Sequence, residues 1–169
     1  MKVLVSVASK HGATKEIGDQ VAETLGTALQ SLGVDAQVDV RDPEQVRNVA
    51  SYDAAVLGSG IYAGHWLEAA RKLVEQEAET WRARPVWLLS SGPLGDPPKP
   101  EGEPPEGTRL AELIGAREHR VLSGRLERAS LGRGERLVAR VVKAPDGDFR
   151  DWAEVDRFAG EVAEALAGD

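Results

Sequence analysis

Apolar stretches of strand length alternate with amphipathic stretches of helix length along nearly the whole chain, and this alternation restricts the possible folds more than any other feature. Val3-Leu4-Val5-Ser6-Val7-Ala8 is an apolar run, and a stretch from Lys15 to about Leu32 follows with Ile17, Val21, Leu25, Ala28 or Leu29, and Leu32 at three- and four-residue spacing. Val34, Ala36, Val38 and Val40 then alternate with polar residues, as in a strand with one wet face. Pro43 opens a short helix over 44–50. Ala54-Ala55-Val56-Leu57 and Val86-Trp87-Leu88-Leu89 read as strands buried on both faces, with a helix over about 66–79 between them. Thr108 is placed to cap a helix containing Leu110, Leu113 and Ile114, and residues 120–126 form the last strand. Asp151 and Glu154 make a D-x-x-E start to a final helix that buries Val155, Phe158, Val162, Ala163 and Leu166. Strand and helix alternating in this way imply an α/β domain, a parallel sheet with helices on both faces.

The 169 residues suffice for one domain with a substantial core. An irregular insert is expected at about 127–150, where Leu131, Leu137, Val138, Val141 and Val142 suggest a helix interrupted by Gly132 and Gly134. Residues 97–108, rich in Pro, Gly and Glu, read as a loop.

Charge and composition then remove function classes. Lys+Arg 21 against Asp+Glu 28 gives a formal charge of −7, which disfavours nonspecific nucleic-acid binding. No apolar run approaches the roughly 20 residues of a transmembrane segment, and the start of the chain enters a strand without a targeting segment, so a cytoplasmic protein is expected. Cysteine is absent, which excludes disulfides, thiol redox chemistry and cysteine nucleophiles. The three histidines, His11, His65 and His119, lie far apart without a ligand pair, so no metal site is expected. Redox chemistry on such a chain must be carried by an organic cofactor.

In doubly wound sheets, ligands bind beyond the carboxyl ends of the strands. Three loops leave strands there: Ser9-Lys10-His11-Gly12-Ala13-Thr14, residues 59–66 and residues 90–96. The first is made of small, hydroxylated and basic residues and runs into a helix N-terminus, where backbone N–H groups and the helix dipole favour an anion. It matches neither G-x-x-x-x-G-K-[ST] nor G-x-G-x-x-G. Two readings stay open on residues alone: a cradle for a mononucleotide-like phosphate, and a plain turn with Thr14 capping the next helix.

The residues quoted so far resemble a flavodoxin-fold FMN-binding protein. Ala8-Ser9-Lys10-His11-Gly12-Ala13-Thr14 is similar to that family's phosphate loop. Gly58-Ser59-Gly60-Ile61-Tyr62-Ala63-Gly64-His65, Ser123-Gly124-Arg125-Leu126 and the later Asp151-Trp152 resemble the flavodoxin-type, menaquinone-dependent protoporphyrinogen oxidase group. The resemblance covers nearly the whole chain. It implies a five-stranded parallel sheet in the order 2-1-3-4-5 and FMN as cofactor. It also implies an oxidoreductase or electron-transfer function, with protoporphyrinogen dehydrogenation linked to a quinone as the finer possibility. The insert is more apolar in that group, whereas here it carries Arg128, Arg133, Glu135, Arg136 and Arg140.

The expected FMN contacts follow. Ser9, Lys10, His11, Gly12, Ala13 and Thr14 hold the phosphate. Ser59, Gly60, Ile61 and Tyr62, with Ser91, Gly92, Pro93, Leu94 and Gly95, border the isoalloxazine ring, Tyr62 being a stacking partner. No catalytic side chain is assigned. Electron donor, electron acceptor and a homodimeric state are left open, and the alternative to a redox protein is a binding or regulatory module on the same fold.

Overall fold

The computed structural model describes residues 1–92, 103–127, 131–141 and 145–169. Strand β1 (Lys2–Ala8) leads into helix α1 (Ala13–Ser31), and β2 (Gln37–Val40) follows. β3 (Ala54–Tyr62) turns back through the two-residue β4 (His65–Trp66). Helices α2 (Glu68–Gln76) and α3 (Ala78–Arg82) precede β5 (Val86–Ser91). Helix α4 (Pro105–Ile114) leads to β6 (Glu118–Leu122), after which come β7 (Arg125–Leu126), α5 (Arg133–Val141), β8 (Gly147–Asp148) and α6 (Trp152–Ala167).

The principal strands are parallel in the spatial order β2-β1-β3-β5-β6, which is the expected 2-1-3-4-5 counted over the long strands. The sheet has six strands rather than five because β4 pairs antiparallel with β3, and β7 and β8 form a separate two-stranded ribbon. Each central strand is a continuous apolar run because both faces are covered. Val3, Val5 and Val7 face a core shared with Ile17, Val21 and Leu25 of α1 and Phe158 and Val162 of α6. Leu4 and Ala8 face the other core, with Leu73 and Val74 of α2, Trp81 of α3 and Leu110 of α4. The alternation of Cβ direction along a strand divides β1 between the two layers.

Several local expectations are corrected. β2 begins at Gln37, because only residues 37–40 pair with β1. The segment at 44–50 forms two 3₁₀ turns, Pro43–Gln45 and Val49–Ser51, instead of one helix. The helix expected over 66–79 starts at Glu68 and is broken before Ala78, since Trp66 is taken by β4. α4 starts at Pro105 with Pro104 at its cap, so Thr108 lies inside the helix. The last long strand is Glu118–Leu122, and Arg125–Leu126 belongs to the β7–β8 ribbon. Leu32 is outside the buried stripe of α1 at 49% exposure, because the helix ends at Ser31. At α6 the expectation stands: Asp151 Oδ1 accepts the backbone N–H of Glu154.

Sheet register sets the position of everything functional. Ala8, Ser59, Ser90 and Val121 lie side by side across four neighbouring strands, and Gly60, Ser91 and Leu122 make the next row. The carboxyl ends of β1, β3, β5 and β6 therefore finish along one rim.

Candidate functional site

Beyond that rim lies a cavity of about 580 Å³, within the range of about 300–1,000 Å³ usual for small-molecule sites. Lys10, His11, Ala13 and Thr14 line it from the β1–α1 loop, Gly60, Ile61, Tyr62 and Ala63 from the β3–β4 hairpin, and Ser91 and Gly92 from the end of β5. The three segments expected to converge do so.

The loop side is built by an unusual helix start. Gly12 occupies the cap position with φ 87° and no side-chain cap, a conformation that glycine adopts without a Cβ penalty. Thr14 is therefore inside α1, and the reading of Thr14 as its cap is corrected. It is buried at 4% exposure. With no capping side chain, the first N–H groups of α1 keep their capacity for an external acceptor. Ser9 Oγ is buried without a hydrogen-bond partner. Ser6 Oγ shares that property, but it sits mid-strand in β1 rather than in the loop.

Residues 59–66 are not a loop. β3 continues through Tyr62 because its Gly-Ser-Gly backbone keeps pairing with Ser90 and Ser91, and the chain then reverses at Ala63 and Gly64, with φ 50° and 83°. Positive φ at both central residues is the geometry of a two-residue hairpin turn. Ser59 is fully buried, its Oγ accepting the N–H of Leu67 and donating to the Gly60 carbonyl. Gly60 leaves room where a Cβ would lie 2.9 Å from Thr14 Oγ1 and 3.0 Å from the Tyr62 ring. Tyr62 leans toward the β1–α1 loop: Lys10 Nζ lies 5.7 Å from its ring centre, and the His11 ring centre lies 6.2 Å from it. Burial pushes the Tyr62 phenol above its ordinary value.

The hairpin is tied to the rest of the rim by a buried chain. Trp66 Nε1 donates to Ser90 Oγ at 2.8 Å, and Ser90 Oγ lies 2.8 Å from His119 Nε2. Glu106 accepts the Trp66 backbone N–H and lies 3.4 Å from His65 Nδ1. His119 is held below its ordinary pKa by burial, so it is neutral at neutral pH. Trp66 and His65 thus belong to β4, not to a helix start, and Trp87 is buried in β5 as expected. Pro93, Leu94 and Gly95 lie outside the described residues.

The remaining wall comes from the segment between β6 and α6, whose residues sequence reasoning did not place at the cavity. Gly124 passes so close to the end of β5 that a Cβ there would lie 3.2 Å from Gly92 Cα. Arg125 lines the cavity and donates to Glu16 of α1 at 3.1 Å. Arg150, with its side chain 4% exposed, donates to Glu16 at 2.6 Å, to Asp148 at 2.6 and 2.8 Å, and to the Ala13 carbonyl at 3.3 Å. Its guanidinium covers the Trp152 ring at 4.5 Å. The Arg150 hydrogen bonds hold the carboxyls of Glu16 and Asp148 below the ordinary carboxylate range. The β7–β8 ribbon is in this way pinned to the first turn of α1. Leu131 and Ala139, both buried, and Glu135 of α5 complete the wall.

Comparison with known proteins agrees with this architecture. A family model described as "Flavodoxin domain" matches residues 4–152. The chain belongs to the flavodoxin family. FMN is the cofactor of this family, and an FMN-dependent oxidoreductase or electron-transfer role goes with it. A curated relative, the Escherichia coli (strain K12) protein named "Protoporphyrinogen IX dehydrogenase [quinone]", is 26% identical over 180 residues, covering 96% of this chain and 95% of its own. A Streptococcus pneumoniae flavodoxin has the same fold with a TM-score of 0.58 at 19% identity, over 99% of each chain. An oxidoreductase from Corynebacterium diphtheriae reaches a TM-score of 0.64 at 11% identity, over 99% of this chain and 96% of that one. Among the described residues, no helix is long and apolar enough to cross a membrane.

Proposed function

We propose that this flavodoxin-family chain is an FMN-dependent dehydrogenase of the protoporphyrinogen type, passing electrons to a quinone. The observation that carries the reading is the convergence of the β1–α1 loop, the β3–β4 hairpin and the end of β5 on one cavity, with an uncapped helix start on its loop side and, within that loop, the buried and unpartnered Ser9 hydroxyl.

The residues fit the cofactor. Ser9 and Thr14 supply hydroxyls for the phosphate, and the backbone of Lys10, His11, Gly12 and Ala13 supplies donors along the start of α1. Gly60, Ile61 and Tyr62 with Ser91 and Gly92 border the flat ring, where backbone groups meet its polar edge and apolar side chains exclude water. Ser59 supports that border from beneath through Leu67 and Gly60. Bound FMN supplies the electron-accepting ring. The protein orients it, and no side-chain nucleophile is needed. The full-length similarity to the E. coli protein supports the finer substrate assignment.

Flavin titration followed by anaerobic turnover tests both levels. Oxidised FMN is expected to bind with fluorescence quenching, and the loaded protein to oxidise protoporphyrinogen with a menaquinone acceptor. Binding without turnover, together with rapid reduction by a flavodoxin reductase, would reassign the protein as an electron carrier.

A further inference from the structure

The loop side of the cavity already carries an anion of the chain's own. The Glu135 carboxylate pairs with Lys10 Nζ and lies 3.2 Å from His11 Nε2, so one acidic group engages both basic side chains of the β1–α1 loop. Its second oxygen accepts the Gly132 N–H at 2.8 Å, and the Arg136 N–H bonds the Gly132 carbonyl at 2.9 Å. Gly132 is therefore the cap of α5, and Glu135 is the third helical residue reaching back to it, half of a capping box. That back-bond fixes the direction of the carboxylate. Gly134 and Glu135 line the cavity, so the helix bearing this group is also its wall. The Lys10 hydrogen bond holds the Glu135 carboxyl down to about 2, so it is charged at any physiological pH.

A phosphate entering the loop meets the same two side chains, the Lys10 ammonium and the His11 imidazole. We propose that Glu135 is the specificity-determining residue on this side of the site: it competes with the phosphate for Lys10 and His11, and so sets how strongly the site prefers phosphorylated flavin over riboflavin. The proposal rests on the FMN reading above.

The test uses the full chain and the variant Glu135→Gln, which removes the charge but keeps an acceptor for Gly132, with far-UV circular dichroism as the fold control. FMN and riboflavin are titrated by fluorescence, and inorganic phosphate by thermal shift. E135Q is expected to bind FMN about five- to tenfold more tightly, as one partly exposed ion pair and one carboxylate–imidazole contact allow, with riboflavin unchanged within about twofold. In a K10M/H11Q background the gain is expected to vanish. Unchanged FMN affinity, an equal gain for riboflavin, or a gain that persists in that background overturns the proposal. If neither flavin binds any variant, the FMN reading fails by itself. Inorganic phosphate then decides here: a larger thermal shift in E135Q supports the competition, and equal or absent shifts overturn it.

Discussion

Ser9→Ala separates a phosphate-binding loop from a structural turn by the sign of two effects. Ser9 Oγ is buried in the β1–α1 loop with no hydrogen-bond partner. A buried hydroxyl left unpaired costs about 1–3 kcal/mol of desolvation, so its removal is expected to leave the unliganded fold unchanged or raise its stability by about 1 kcal/mol. For a chain of this length that raises Tm by about 2–4 °C. A hydrogen bond from the same hydroxyl to a charged phosphate is worth about 1.5–3 kcal/mol, so the same substitution is expected to weaken FMN about ten- to a hundredfold. Riboflavin, lacking the phosphate, is expected to bind both proteins alike. Differential scanning fluorimetry without ligand, followed by fluorescence titration with each flavin, reads both quantities. If S9A lowers Tm by several degrees, or loses FMN and riboflavin in parallel, the hydroxyl is structural and the cradle reasoning is refuted.

Three further predictions concern the frame around the cavity. Gly18→Ala places a Cβ 2.4 Å from Val7 Cγ2 where α1 rests on β1; overpacking of about 1–3 kcal/mol outweighs the helix-propensity gain of about 1 kcal/mol, so urea unfolding should show net destabilisation, and adding Val7→Ala should cost less than the two changes summed. Arg150→Met removes the guanidinium from the Ala13 carbonyl, Glu16 and Asp148, while Glu16 keeps Arg125 and Asp148 keeps the backbone N–H of residue 150; the half-exposed carboxylates recover water, so a loss of about 2 kcal/mol is expected by urea unfolding, with an unchanged midpoint counting against the pinning of the β7–β8 ribbon. His119, depressed by burial, stays neutral in the fold where the unfolded imidazole takes up a proton; stability is therefore complete above the unfolded pKa of about 6.5 and falls as pH drops below it. His119→Gln keeps a partner for Ser90 and is expected to flatten the Tm slope between about pH 7.5 and 5.5; an equal slope in both proteins would exclude His119 as its source.

The layers of this fold were legible because burial on both faces leaves a plain mark: Val3 to Ala8, Ala54 to Leu57 and Val86 to Leu89 have no polar face to spare, and α1 repeats its apolar residues at helical spacing. The loop side of the site was legible for a related reason. Small and hydroxylated residues directly before a helix pattern mark a place where backbone donors are left over. The hairpin was not, since Gly58, Ser59 and Gly60 have weak strand propensity and read as a loop in isolation. Their pairing with Leu89, Ser90 and Ser91 supplies the ladder that their side chains do not favour, and the Ala63-Gly64 turn closes it.

The far wall was hidden for a different physical reason. Arg125 reads as part of the last strand, and Glu135 and Arg150 as part of an irregular insert, because nothing within the neighbouring residues marks a charge for a partner more than 100 positions away. Yet Glu135 meets His11 across 124 residues, Arg125 meets Glu16 across 109, and Arg150 meets Glu16 across 134. All three contacts end on the β1–α1 loop or the first turn of the helix after it. An insert tethered there by paired charges acts directly on the donors that an anion needs, which an apolar insert cannot do. The charged composition of residues 127–150 therefore bears on how the site selects its anion, and raising ionic strength is expected to loosen α5 from the loop before it affects the central sheet. Hydrogen exchange read segment by segment, at low and high salt, checks this: protection lost first in the sheet, or equally throughout, would remove the charge pairs as the tether.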